Sequence, residues 1–270
     1  MSKAALVKRI FIFTFGLLAF GLLVMVLGHD PYAIHLPHIL QAPAGGYWLG
    51  TDELGRDVLA RLAQGVRLSV FVGVSVFLLA GSIGTLIGVI SGWFGGWVDA
   101  LLMRVTDVFL SFPGILIAIA FAALAGPGVE NVILALGLMG WVTFARLARV
   151  QTMAVKEQDY VRSAQISNVK LLRIIALYIL PNIAAPLIVE GVFTMAGAML
   201  AEAGLSFLGI GVQPPVASLG SMLREGARYM LVAPHLVFFP GLALMLLVIG
   251  LNIIGDSLRD YLDKREEGPR

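Results

Sequence analysis

Long apolar runs alternate with short polar or charged segments along most of the chain. The first run covers residues 10–28, and its 18 residues from Ile10 to Leu27 carry no charge. Comparable runs follow at 68–93, 98–125, 129–150, 183–203 and 236–256. A helix of about 20 apolar residues is long enough to cross a bilayer. The pattern therefore predicts an all-α integral membrane protein with six transmembrane helices in a single domain, residues 10–260.

Both ends of the chain are predicted to be short and cytoplasmic. Residues 1–9 contain three cations and no acid, and residues 261–270 follow the last apolar run. A cleaved signal peptide has a similar start and needs a small-x-small site after its apolar run. The nearest such site, Ala42-Pro43-Ala44, lies well beyond the first run, which favours a retained first span.

The overall composition excludes an ordinary soluble domain. The chain is 59% hydrophobic and 13% charged, with a mean hydropathy of +0.91. Soluble domains have about 25% charged residues. The net charge of +2 gives no indication of a nucleic-acid partner, and a chain without cysteine has no disulfide and no thiolate metal site.

Small and helix-breaking residues inside the runs predict how the spans pack and bend. The second run has small residues on recurring faces, at Gly81, Gly84, Gly88 and Ser91. Small residues let transmembrane helices approach each other closely. In the third run, Arg104 and Asp107 are three residues apart and are expected to pair on one helix face. Pro113 is expected to kink the same helix or to mark the point where an interfacial segment turns into the membrane.

The segment 151–182, between the fourth and fifth runs, has the most regular pattern of charges. It predicts two short helices with a break near Asn168, because Asn is one of the few residues that tolerate a left-handed turn. Pro181 suits the first turn of the following helix. Ser163 and Ala164 are both small, so a partner surface is expected to approach the first helix closely there.

This segment resembles the coupling loop, or EAA motif, of the membrane subunits of bacterial ABC importers. The family pattern begins E-Y-V-x-A-A, has a Gly four residues after the second Ala, and ends in Leu-Pro-Asn. The matching residues here are Asp159, Tyr160, Val161, Arg162, Ser163, Ala164, Asn168, Leu180, Pro181 and Asn182. Ser163 and Asn168 depart from the pattern but stay small or turn-tolerant. The resemblance implies that these residues contact ATPase subunits, whereas the alternative is a generic amphipathic loop.

Three further strings resemble the dipeptide, oligopeptide and nickel subfamily of these permeases. They are WLGTDELGRD at 48–57, LSFLGIGVQPP at 205–215 and NIIGDSLRDYLD at 252–263. The resemblance implies the fold of an ABC importer permease in the bacterial inner membrane, forming half of a translocation pathway for short peptides. Nickel or another small solute is the alternative cargo.

The resemblance also implies a set of partners. They are a second homologous permease, two cytoplasmic ATPase subunits and an extracytoplasmic substrate-binding protein. ATP and Mg²⁺ are expected on the ATPase subunits and no cofactor on this chain. In agreement, no Lys follows a Gly anywhere in the sequence, so the phosphate-binding loop G-x-x-x-x-G-K-[ST] is missing.

Basic residues predict the orientation, because they are enriched on the cytoplasmic side of membrane proteins. With a cytoplasmic N-terminus and six spans, fourteen Lys and Arg residues lie inside and five lie outside. The outer residues are Arg56, Arg61, Arg67, Arg224 and Arg228. This orientation places the segment 151–182 in the cytoplasm.

Glu190, within the fifth run, is a candidate pathway residue. A carboxylate inside a span is costly, so such residues often have a function. The alternative is an acid that faces the bundle interior and pairs with a polar neighbour. Glu202 lies at the very end of this run.

Other polar residues suggest catalytic or metal sites only weakly. In the loop 29–67, acid–base pairs among Asp52, Arg56 and Asp57 are expected to order the loop rather than to catalyse a reaction. The four histidines are His29, His35, His38 and His235. Imidazole suits nickel, but these histidines have no carboxylate ligands nearby, and we predict no metal site.

Two other classes of function were weighed against an importer subunit. An ion-gradient-driven secondary transporter places ionisable groups and broken helices near the membrane midplane. Here most charges lie at the edges of the runs, which favours an external motor. A membrane enzyme needs a nucleophile with a base, or a metal-ligand set, and neither is present in the runs. We therefore predict a transport subunit that is not an enzyme.

Overall fold

The computed structural model describes residues 30–266, which form a bundle of helices below an ordered loop at 30–57. The helices are α1 (Val58–Phe94), α2 (Gly96–Leu110), α3 (Gly114–Ala125), α4 (Val129–Lys156), α5 (Asp159–Ile166), α6 (Leu171–Ile174), α7 (Leu180–Phe207), α8 (Leu219–Ala227) and α9 (His235–Glu266). A π-helical turn, Ile175–Ile179, joins α6 to α7. The predicted first span, the segment before it and the last four residues lie outside the described part.

Four stretches of helix are long and apolar enough to cross a membrane. They are α1, α4, the continuous helix from Leu171 to Phe207, and α9 as far as Leu262. Helices α2 and α3 pass the same test as a pair but are bent by 79° relative to each other, so they form a broken span or a re-entrant segment. Residues 30–266 thus contain four or five apolar spans in an all-helical fold.

The bend between α2 and α3 has a local cause. Pro113 immediately precedes α3, and proline disfavours a helical conformation in the residue before it. The break expected at Pro113 is therefore confirmed, although it is much sharper than a kink.

The helix α1 begins ten residues before the apolar run that predicts it. Asp57 caps its start, because its side chain accepts a hydrogen bond from the Leu59 backbone nitrogen at 2.8 Å. Arg61 and Arg67 consequently lie on the helix and not in the preceding loop. The helix α7 extends to Phe207 and therefore includes Glu202.

Glycines bring α1 and α4 into the most extensive helix contact of the described bundle. Gly84, Gly88 and Gly92 are one turn apart and face the α4 backbone, so that a Cβ atom at Gly92 would lie 2.7 Å from the Arg149 carbonyl oxygen. Any larger residue would push the two helices apart. Gly81 instead has the Phe144 ring at an ordinary distance.

The two largest clusters of buried apolar residues lie against the two polar loops of the described chain. One cluster packs the start of α1 against α7, α8 and α9, and includes Val58, Met199 and Leu219. Another packs α4 against α5, α6 and α7, and includes Phe144 and Ile183. Each cluster anchors one polar loop, residues 30–57 for the first cluster and residues 157–170 for the second.

Candidate functional site

The loop after α4 folds as two short helices around a left-handed turn. Helix α5 starts at Asp159, and Asn168 has a φ of +54°. This is the conformation that a four-residue link between two short helices requires and that Asn tolerates. The backbone nitrogen of Val169 donates to the Ala164 carbonyl at 3.1 Å and closes the end of α5. The break expected at Asn168 is confirmed.

Ala164 faces the bundle and not a partner. Its side chain is only 7% exposed, and it packs in the cluster that contains Phe144, Val161 and Ile174. Its small size is therefore explained by packing within this chain. The period of α5 turns positions 161 and 164 inward, and the close approach of a partner expected at Ser163 and Ala164 stays a prediction. Ser163 is exposed.

The outward face of this loop combines charged and apolar groups. Asp159, Tyr160, Arg162 and Ser163 are exposed there, and Arg162 pairs with the exposed Glu157. Two large apolar residues flank the turn, Ile166 with 83% and Leu172 with 81% of the residue exposed. Exposed apolar groups beside polar ones mark an interaction surface. The sequence analysis missed this pair, although apolar residues on both sides of a turn in a charged loop were a usable signal.

Leu180 and Pro181 are not part of that outward face. They open α7, directly after the π-helical turn. Leu180 lines an apolar groove of about 470 Å³ together with Phe77 and Phe144. The structure therefore brings residues 159–168 together on one loop and leaves Leu180 and Pro181 on the bundle.

Ion pairs fasten α2 to the end of α4 beside this loop. Arg149 Nη2 lies 2.6 Å from Asp99 Oδ2, and Arg146 Nη2 lies 2.5 Å from Asp107 Oδ1. The pairing expected between Arg104 and Asp107 is thus wrong, since Asp107 bonds across to another helix. These contacts link the bent α2–α3 pair to the helix that carries the loop.

Glu190 lines a second cavity, with both charged and apolar walls. The cavity has a volume of about 410 Å³ and lies between α4, α7 and α9. Its polar lining is Gln151, Glu190 and Arg259, and its apolar lining includes Leu147, Val189 and Phe193. Among residues 30–262, whose side chains the structure describes, no ion pair or hydrogen bond involves the Glu190 carboxylate or the Arg259 guanidinium. The alternative of an acid paired with a polar neighbour is therefore not found among these residues.

Glu202 differs from Glu190 in being enclosed and bonded. It is fully buried, and Ser206 Oγ donates to Glu202 Oε1 at 2.8 Å while Ser69 Oγ lies 3.5 Å from Oε2. The Val212 backbone nitrogen donates to Ser206 Oγ at 3.0 Å. The segment 205–215 thus ends α7 and, through Ser206, contributes a hydrogen bond to a buried carboxyl group.

The loop 30–57 is held by a buried network of charges at the opposite end of the bundle. Arg56 Nε lies 2.6 Å from Asp52 Oδ2, as expected for this pair. Arg61 joins them, with Nη2 at 2.8 Å from Glu225 Oε2 and Nη1 at 3.4 Å from Asp52 Oδ2. Burial raises the pKa of Glu225, and the positive charge of Arg61 opposes this rise.

The histidines of the described chain lie in this same region and pack the loop. The His38 and Tyr47 rings are tilted by 51° with their centroids 5.6 Å apart, and His235 Nε2 lies 3.4 Å from the Thr51 carbonyl oxygen. Among the side chains that the structure describes, residues 30–262, no group of three or more His, Asp or Glu could hold a metal ion. His29 lies outside the described residues.

Residues 84–268 match the family model of the binding-protein-dependent transport system inner membrane component. The chain belongs to this family. It is therefore a multi-pass inner-membrane permease of an ABC importer, a transport component and not an enzyme, and the family implies an ATPase and a substrate-binding protein as partners. This confirms the resemblance found in the sequence and sets aside an ion-gradient-driven transporter.

Individual relatives extend the similarity over nearly the whole chain. The dipeptide transport system permease protein DppC of Alkalihalophilus pseudofirmus is 39% identical over 267 residues, which are 98% of this chain and 86% of that protein. The glutathione transport system permease protein GsiD of Pectobacterium atrosepticum is 39% identical over 83% of this chain and 75% of its own length.

The fold is also similar to a solved structure, the inward-facing MetNI methionine ABC transporter. The TM-score is 0.60 at 16% sequence identity, over 74% of this chain and 95% of that one. At this identity the likeness concerns the fold alone.

Proposed function

We propose that this chain forms half of a translocation pathway for short peptides and works beside a second homologous permease. Two ATPase subunits on the cytoplasmic side and a substrate-binding protein outside complete the importer. The observation that carries the cargo assignment is the 39% identity, over 98% of the chain, to a dipeptide transport system permease. Nickel or another small solute is the alternative cargo.

The test of this function is uptake by the reconstituted importer. With ATP and the binding protein present, vesicles should accumulate radiolabelled L-alanyl-L-alanine, and excess unlabelled dipeptide should compete. Omission of the ATPase subunits is the matched control and should abolish uptake. Accumulation of Ni²⁺ without any dipeptide uptake would overturn the peptide assignment in favour of the alternative cargo.

The proposed topology has six spans, with residues 10–28 as the first and both termini in the cytoplasm. The fourteen-to-five distribution of basic residues supports this orientation. A reporter fused after Gln41 should lie outside the cell, and one fused after Lys156 should lie inside. Both reporters on the same side would exclude the six-span arrangement.

The outward face of the loop after α4 is the proposed contact with the ATPase subunits. Its exposed members are Asp159, Tyr160, Arg162, Ser163, Ile166 and Leu172. Val161 and Ala164 pack the loop from inside, Asn168 makes its left-handed turn, and Leu180 and Pro181 open the helix α7 that follows it. In this arrangement, ATP-driven movement of the partner is transmitted through α6 into the helix that carries Glu190.

ATP and Mg²⁺ belong to the ATPase subunits in this proposal, and this chain carries no cofactor. The missing phosphate-binding loop supports that division. The chain purified alone should hydrolyse no ATP, and hydrolysis should appear when the ATPase subunits are added. ATP hydrolysis by the isolated chain would contradict the proposal.

A further inference from the structure

We propose that the cavity between α4, α7 and α9 is a binding subsite for the two charged ends of a short peptide. Glu190 receives the ammonium group, and Arg259 receives the carboxylate. This inference rests on the proposed peptide cargo and adds a site on this chain for it.

The first argument is that two opposite charges line one cavity without forming an ion pair with each other. Glu190 on α7 and Arg259 on α9 line the same cavity, yet no ion pair joins them. Arg259 is exposed, whereas Glu190 is half-buried within a span, where an unpaired charge is costly. Two opposite charges across one cavity suit a ligand that carries both signs, and an unblocked peptide is such a ligand.

The second argument is the size and lining of the cavity. Its volume of about 410 Å³ falls within the range of about 300–1,000 Å³ that is typical of small-molecule sites. The Gln151 amide can donate to and accept from a peptide bond. Leu147, Val189 and Phe193 provide an apolar wall for side chains of varied shape.

The third argument is position. Gln151 lies near the end of α4, and Glu190 lies ten residues into α7, or about 15 Å along that helix. Both helices lead directly into the loop proposed to contact the ATPase. Pro186, which also lines the cavity, leaves the Asn182 carbonyl without its helical donor, so α7 offers a polar backbone group close by.

The same charge pattern also suits the headgroup of phosphatidylethanolamine, which carries an ammonium and a phosphate. The peptide is favoured because the apolar wall and the Gln151 amide match a side chain and a peptide bond. The two sources are distinguished by preparing the transporter in nanodiscs of phosphatidylglycerol alone and in nanodiscs that contain phosphatidylethanolamine.

The test measures equilibrium binding of tritiated L-alanyl-L-alanine to the assembled permease–ATPase complex in nanodiscs, without binding protein and without ATP. The variants are Glu190→Gln and Arg259→Gln. The controls are Asp256→Asn and Arg228→Gln, whose exposed side chains do not line the cavity. N-acetylated and C-amidated dialanine serve as competitors that lack one charged end each.

Each variant should weaken binding of unblocked dialanine at least about tenfold, as expected for the loss of one charged hydrogen bond. N-acetylated dialanine has no ammonium group, so Glu190→Gln should bind it as tightly as the wild type does. The C-terminal amide has no carboxylate, so Arg259→Gln should likewise bind it as tightly as the wild type does. The control variants should bind like the wild type. This matched pattern is specific, because a purely structural role would weaken all ligands equally.

Three results would overturn the inference. The first is equal weakening of all ligands by both variants. The second is wild-type protein that transports dialanine with its binding protein but binds none in this assay, in which case the proposed function stands and the subsite fails. The third is the finding that the cavity binds lipid instead of peptide. In that case phosphatidylethanolamine would co-purify with the wild type but not with Glu190→Gln, and dialanine would not displace it. A wild type that transports no dialanine rejects the proposed cargo itself and this subsite with it.

Discussion

The two polar loops at opposite ends of the bundle use charge in opposite ways. Asp52 and Arg56 of the loop 30–57 are buried and bonded to Arg61 of α1 and to Glu225 of α8. In the loop after α4, the charges are exposed and the apolar Ile166 extends into solvent. A charge network satisfied within the chain stabilises the fold, whereas an outward face of unburied apolar and charged groups is suited to a partner.

The largest expected effect is a loss of thermal stability when the buried charge network beside the loop 30–57 is broken. No such loss is expected from changes to the exposed loop after α4. Arg61→Ala leaves Arg56 as the remaining buried cation beside Glu225 and Asp52. Removal of one member of a buried ion pair costs about 3–5 kcal/mol. We expect a marked loss of thermal stability in detergent, measured by fluorescence-detected size-exclusion chromatography after heating. The exposed Arg228→Ala is the control and should behave like wild type. Equal stability of the two variants would mean that the network contributes nothing to the fold.

The next effect should appear in partner binding without any loss of stability. Replacing Ile166 and Leu172 together by Asp removes two apolar anchors, and anchors of this kind contribute at least about 2 kcal/mol each. A combined loss of about 4 kcal/mol weakens ATPase retention roughly a thousandfold. Co-purification with the ATPase and peptide uptake should both fail at normal membrane abundance.

The matched control for this double variant is Leu231→Asp, which changes a residue 96% exposed in the turn that follows α8. It should retain the ATPase subunits and transport normally. Full ATPase retention by the Ile166/Leu172 variant would show that the outward face is not the coupling surface.

A smaller effect should distinguish two adjacent residues of α5, the inward-facing Ala164 and the outward-facing Ser163. Ala164→Arg overpacks the cluster around Phe144 and should lower stability by roughly 1–3 kcal/mol. Ser163→Arg places the same side chain on the exposed face and should leave stability unchanged while it weakens ATPase retention. Thermal unfolding and co-purification of both variants give the comparison. If Ala164→Arg were as stable as Ser163→Arg, the inward packing of α5 would be refuted.

The smallest effect concerns the pH dependence of the loop 30–57. Burial raises the pKa of Glu225 above its ordinary value, so folding favours the protonated form. The associated stability is fully present below the unfolded value of about 4.3 and is lost as the pH rises through the raised folded value. Wild-type thermal stability should therefore fall over this window relative to Glu225→Gln. Parallel pH profiles of the two proteins would argue against a raised pKa.

Local sequence accounts for the features that depend on neighbouring residues. The turn at Asn168 and the break at Pro113 follow from backbone sterics, which act within one or two residues. The Asp52–Arg56 pair lies within a single turn-rich string. The start of α1 was harder to predict, because Asp57 caps a first turn that is polar and lies outside the apolar run.

What the sequence by itself determined about this protein is its class, its apolar spans and its family, because span length and motif strings are linear properties of the chain. Only the tertiary structure decided which way each side chain faces. Arg61 meets Glu225 across 164 positions, Ala164 turns inward, and Glu190 shares a cavity with Arg259. Each of these contacts depends on the rotation and crossing of helices that are distant in the sequence, and an apolar run in a membrane helix leaves that rotation undetermined.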